Sequence, residues 1–131
     1  MLREYRGDAH VAAWTSAGLD AVEVGLTTEC YIGLPTRTYI RTRAWNDEEL
    51  DAAAASLRAR GWFGDTEAFT AAGRAGREEI ESATDRALLP ALTALGDDVD
   101  VLCSRLAPWG DAVRAAGGYI GGAGDLWPHR D

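Results

Sequence analysis

Hydrophobic residues along this chain recur mostly at intervals of three and four, the period of a helix with one buried face. Residues 2 to 17, LREYRGDAHVAAWTSA, predict a helix with Val11 and Trp14 on its inner stripe, interrupted at Gly7 and ended at Gly18. Leu19, Val22, Leu26 and Cys30 carry the same spacing through residues 19 to 32, and Gly33 with Pro35 stops it. Residues 34 to 44, LPTRTYIRTRA, lose the period and leave room for one short helical turn.

The clearest helix start follows. Asn46 is a good N-cap, and Glu49 three residues later completes a capping box. Trp45 and Leu50 stand where a hydrophobic staple would put them. Asp47, Glu48 and Glu49 favour the positive end of the helix dipole, and Arg58 and Arg60 the negative end. Leu50, Ala53, Ala54 and Leu57 form the expected buried face, and Gly61 ends the helix. In WFGDTEAFT, residues 62 to 70, two short aromatic segments flank a turn, which reads as a small hairpin. Thr70 caps a helix from 71 to about 94, with a bend or break expected at Pro90. A last helix spans about 98 to 116. It points Val99, Leu102, Leu106 and Val113 inward and is kinked or divided by Pro108 and Gly110. The expected fold is mainly α with a small two-stranded β wing, in the order of a winged helix-turn-helix, with the helix at 47 to 60 in the recognition position. Residues 1 to 116 make one domain closed by C-terminal dimerisation helices. Residues 117 to 131 make a flexible glycine-rich tail, with His129 in its loose end, that stays loose until Trp127 finds a partner.

Composition narrows the function classes. A chain of 131 residues with 47% apolar content can bury a real core. The net charge of −8 argues against a broadly basic nucleic-acid footprint. All 13 cations are arginine, whose planar fork suits phosphate and carboxylate. Cys30 and Cys103 lie far apart, in no metal-ligand spacing and within apolar helical patterns, and so read as small buried hydrophobes. No signal region and no run of membrane length is visible, so the expectation is a cytoplasmic protein with reduced thiols, no membrane partner, no metal and no cofactor.

At LRARGWFGDTEAFTAAGRAGREEIESATDR, residues 57 to 86, the sequence resembles the wing region of MarR-type winged-helix regulators. In that family a leucine-rich helix end and a short wing lead through Leu-Thr-x-x-Gly into a long dimerisation helix; here the lead-in is FTAAGR, with Phe69 in the leucine position. A wider stretch, residues 2 to about 95, is similar to the C-terminal helix-turn-helix half of an uncharacterised actinobacterial family. It includes LREYRGDAHVAAWTSAGLDAVE and a later W-x-x-E-E-L. Members of that family are usually longer, which implies a stand-alone relative or a fragment that lacks the N-terminal half. The MarR-type resemblance implies a homodimer that binds duplex DNA and senses a small molecule.

Three groups of residues could carry chemistry. Arg37, Arg41 and Arg43 form the one local basic cluster; with Thr38 and Arg58 they are the candidate DNA contacts. Against them stand the acidic helix start and a wing tip bearing Asp65 and Glu67. The plainer alternative is that these arginines pair with those acids. The second group is Arg6, Asp8 and His10. A carboxylate beside the imidazole would hold its tautomer and raise its pKa, making His10 a candidate acid or base with Asp8 as its partner, while Arg6 could hold an anionic ligand. The plainer alternative has Asp8 as an N-cap and Arg6 in solvent. The third group is aromatic. Trp14 lies one turn beyond His10, and by the MarR resemblance Tyr31 and Trp109 could line the same ligand pocket, which would take an aromatic or anionic small molecule. The other reading of the five tryptophans is as core or dimer-interface anchors.

Overall fold

A computed structural model describes residues 2–118 of the protein. They contain five α-helices: α1 (Leu2–Ser16), α2 (Ala21–Tyr31), α3 (Asp47–Ala59), α4 (Ala71–Leu95) and α5 (Asp98–Ala115), with one 3-10 turn at Ile40–Arg43. They fall into two compact units that divide after Leu88, partway along α4.

Glycine punctuates the first unit as its sequence suggests. Gly18, Gly33 and Gly61 all take positive φ just past a helix end. At α3, Gly61 N–H bonds to Arg58 O and Trp62 N–H to Leu57 O, the paired bonds of a Schellman motif. Capping boxes open two helices, Asn46 with Glu49 at α3 and, unread in the sequence, Asp20 with Glu23 at α2. Glu23 also accepts from Ser56 Oγ at 2.5 Å, which ties α2 to α3. Gly25 has a reason that periodicity does not reveal. A Cβ there would lie 1.7 Å from Ile40 Cδ1, so the missing side chain makes room for the 3-10 turn against α2. Gly73 and Gly76 likewise let α4 seat on the backbone and ring of Trp62.

The core holds Leu19, Leu26, Ile40, Leu50, Ala53, Ala54, Leu57, Phe63 and Ile80, with Trp14, Trp45 and Trp62 packed around it. All four residues expected on the inner face of α3 are buried. Val11 is not; at 49% exposed it lies off the packed side of α1.

The expected two-stranded β wing is absent. Among the described residues there is no strand, only an isolated antiparallel bridge between Phe63 and Phe69. The physical reason lies on both sides of the bridge. Outward, pairing gains one bond, Thr70 N–H to Trp62 O at 3.0 Å, and ends there. Trp62 N–H is bonded back to Leu57 O at the end of α3, and Thr70 Oγ1 accepts from Gly73 N–H as the cap of α4. Inward, the chain turns at once through Asp65, Thr66 and Glu67, the last at φ 35°. The fold is all-helical, and the winged expectation is corrected accordingly.

Three further expectations change. α4 runs unbroken through Pro90, and α5 through Pro108. Neither Leu106 nor Val113 faces inward, because α5 has no buried residue among those described. Cys103 is exposed and Cys30 only half-buried, and both are free thiols. Of the tail expected at 117 to 131, all but Gly117 and Gly118 lies outside the described residues, Trp127 and His129 included. No described helix is long and apolar enough to cross a membrane.

Candidate functional site

The connection between α2 and α3 is organised by one buried acid. Glu29 is fully buried on α2, and its carboxylate accepts from the backbone N–H of Arg37 (2.7 Å), Thr38 (3.0 Å) and Ile40 (2.7 Å). Three amide donors give a buried carboxylate the partners that burial demands. The clamp places Arg37 at φ 63° and delivers Ile40 into the core. A short loop thereby becomes a rigid platform beside the outer face of α3.

The arginines on that platform are occupied. Arg37 Nε donates to both oxygens of Glu67 at 3.1 Å, Arg37 Nη2 pairs with the same carboxylate, and Arg37 Nη1 meets Asp51 at 2.7 Å. Arg58 approaches Glu67 at 3.6 Å, and Arg41 pairs with Asp47. Arg43 differs: it donates to Tyr39 Oη at 2.7 Å and lies over the Tyr39 ring, with no carboxylate partner among the described residues. Thr38 Oγ1 donates to Pro35 O. Arg60, which the sequence places at the end of the helix, bonds the carbonyls of Ala17 and Gly18 and so caps α1. Glu67 is the residue sequence reasoning undervalued. Its carboxylate gathers Arg37 and Arg58, and both Arg37 and Glu67 sit in left-handed backbone, where a non-glycine residue is strained.

The outer face of α3 is exposed from end to end. Its leading half carries Asp47, Glu48 and Asp51; beyond them come Ala52, Ala55 and Ala59. The narrow alanine surface suits close approach to a groove, and the acids oppose a phosphate backbone.

A second constellation lies along α1 and the first part of α4. Arg6 pairs with Glu81 at 3.1 Å, and Arg77 Nη1 lies 2.6 Å from the other oxygen of the same carboxylate. Arg77 is only 2% exposed and stacks over the Tyr31 ring, whose hydroxyl donates to Glu78 at 2.8 Å. Among the described residues no acceptor meets Arg77 Nε, and Nη1 has Glu81 as an ion-pair partner without an aligned hydrogen bond. His10 Nδ1 lies 3.0 Å from Thr84 Oγ1. Because the Thr84 hydroxyl already donates to Ile80 O at 2.8 Å, the imidazole must be the donor, which fixes the Nδ1–H tautomer and leaves Nε2 as a base.

The structure therefore brings Arg6, His10 and Tyr31 to α4, while Trp14 joins the core. Asp8 stays exposed, and the carboxylate near His10 is Glu81. The expected upward shift of the imidazole pKa is reversed. Burial lowers it first, the Arg77 charge lowers it further, and Glu81 does not compensate. Burial alone would raise the Glu81 carboxyl, but Arg77 with His10 and Arg6 holds it below its ordinary value. Trp109 is on α5 in the second unit and is 72% exposed. Sequence reasoning missed Arg77, Glu81 and Thr84: they share one helical stripe with Gly73 and Ile80, but that Arg77 and Thr84 are buried there, and so need partners, is shown only by the fold.

The model of the helix-turn-helix family matches residues 1–120. The chain belongs to that family. The match embraces α1 to α5, so the polar seam on α1 and α4 is as much part of this helix-turn-helix protein as the α2–α3 pair. No curated protein and no solved structure was found to match it.

Proposed function

We propose that this helix-turn-helix protein is a cytoplasmic transcriptional regulator, a homodimer that sets α3 against duplex DNA and responds to a small molecule, in the broad manner of MarR-type regulators. The observation that carries the reading is the open outer face of α3. The helix is seated on the core by Leu50, Ala53, Ala54 and Leu57, and its other side, slim with alanine, is free to enter a major groove. Family membership supports the same use.

The charge pattern sets the terms. Arg37, Arg41 and Arg58 reach phosphates only by exchanging carboxylates for them, so binding gains little from release of counterions. Fluorescence anisotropy of duplex DNA from the gene's own upstream region, titrated at two salt concentrations, tests this. Sequence-dependent binding with a shallow salt slope is expected; no binding even at low salt ends the reading.

A second reading is favoured by the acids at the leading end of α3. Here the scaffold has left DNA and serves as a metabolite-binding domain through Arg6, His10 and Tyr31, with His10 Nε2 as its base. Ligand binding or turnover lost in a folded His10→Ala protein, with no DNA binding by the parent, would favour it.

A further inference from the structure

The loop that holds Arg37 and Arg58 also forms one wall of a cavity. An open hollow of about 510 Å³ is lined by Cys30 and the segment Gly33–Thr36 on one side and by Glu67, Ala68, Phe69 and Arg74 on the other. That volume falls within the range of small-molecule sites. The lining sorts by chemistry. Leu34, Pro35 and Ala68 are aliphatic and Phe69 adds a ring, so the body of a ligand would be apolar. Arg74 sits over the Phe69 ring at 5.6 Å, and no carboxylate pairs with it among the described residues. It is the cation at this rim without an acid, in contrast to Arg37 on the far side of Glu67. The Glu67 charge is already taken by Arg37 and Arg58, and its backbone carbonyl accepts from Cys30 Sγ at 3.1 Å.

We propose that this hollow binds a compact monocarboxylic acid with an aliphatic body, the body resting on Leu34, Pro35 and Ala68 and the carboxylate meeting Arg74. Nothing in the sequence singled out this site; the aromatic and histidine residues of α1 do not line it. It deepens the small-molecule part of the regulator reading and rests on that reading only for its coupling to DNA. The coupling has a physical route, because Glu67 lies in the cavity wall and holds two arginines beside α3. By linkage, an acid that binds differently in the DNA-bound and free states changes DNA affinity by the same factor as DNA changes its own.

Cys30 supplies the readout. Burial, with the Glu29 and Glu67 charges nearby, pushes its thiol up to about 11, so it alkylates slowly enough for rates to be compared. In a Cys103→Ser protein it is the one cysteine of the chain. The experiment follows alkylation of Cys30 by N-ethylmaleimide at mildly alkaline pH, without DNA, against cyclohexanecarboxylate and its neutral amide. The acid should slow the reaction by about threefold at roughly twice its Kd, and the amide far less. Arg74→Gln should remove the difference between them, and Arg74→Lys should restore part of it. Cys103 alkylation in a Cys30→Ser protein should not respond to either compound. Protection equal for acid and amide, protection unchanged in Arg74→Gln, or no protection at all would each overturn the assignment. Protection without any DNA binding would keep the site and discard the regulator.

Discussion

α3 and α5 carry the same kind of apolar stripe and meet different fates. In α3, Leu50, Ala53, Ala54 and Leu57 recur at three- and four-residue steps and every one is buried. In α5, Val99, Leu102, Leu106, Trp109 and Val113 recur just as regularly, yet Leu106 is 47% exposed and Trp109 72%. The difference is supplied from outside the helix. Around α3 stand Leu26, Ile40 and Phe63, held there by the Glu29 clamp and the turn after Gly61. Periodicity states which residues share a face. It does not state what covers that face.

The comparison can be broken most forcefully at Leu57. Leu57→Ala removes a fully buried side chain from the centre of the core, and denaturant unfolding should show a loss of about 2–5 kcal/mol. A loss below about 1 kcal/mol would mean that the stripe of α3 is no better seated than that of α5. Next in size is Glu67→Gln, which leaves Arg58 without its acid and Arg37 with Asp51 alone. The pairs are partly solvated, so a stability loss of about 1–2 kcal/mol is expected. The same change frees Arg58, loosens Arg37 beside α3 and shifts the net charge from −8 to −7, since one carboxylate is removed. Duplex DNA should therefore bind more tightly and with a steeper salt dependence; unchanged affinity would show that these arginines do not meet DNA.

Acid should act on the unit that holds α3. The His10 pKa is lowered from 6.5 in the folded protein, so on acidification the unfolded chain takes up the proton first. Stability from this group is full above that ordinary value and falls as pH drops below it. Glu81, lowered from 4.5, adds a second loss as pH falls through its depressed value. Thermal melts between about pH 7 and 5 should show a declining Tm that His10→Gln flattens, because glutamine has no proton to gain. A decline of the same slope in that variant would remove His10 as its source.

These contrasts also measure what the chain reveals of itself. α3 was legible because local signals agreed: a capping box, four inward apolar positions and a glycine stop all concern residues within one helix. The hairpin at 62 to 70 misled because aromatic pairs around a turn resemble strands. What stops the ladder at Trp62 and Thr70, which share one backbone bond, is their commitment to the neighbouring helix ends, a tertiary fact. Gly25 looked like a weakness in a helix until Ile40, fifteen residues away, explained it. Of the candidate site, Arg6 and His10 were visible as an unusual mixture. Their partners Arg77, Glu81 and Thr84 were not, because a charge on a helix reads as solvent-facing unless its counterpart on another helix is known. For the same reason the arginines before α3 read equally as DNA contacts and as ion-pair partners, and the acids that Arg37 and Arg41 meet, Glu67, Asp51 and Asp47, are named only by the folded loop.

The smallest expected effect sharpens the comparison furthest. Trp109→Ala deletes the largest exposed apolar side chain of α5, and in a monomer it should change stability by less than about 0.5 kcal/mol, in contrast to Leu57→Ala. If the stripe is the face on which two copies meet, the result changes in kind. The parent protein would then sediment as a dimer with a Tm that rises with concentration, and the variant would sediment as a monomer whose Tm does not. A small effect with a monomeric parent would leave α5 uncovered and the dimer unsupported. A loss that grows with dilution would mean that a second copy does for α5 what Leu26, Ile40 and Phe63 do for α3.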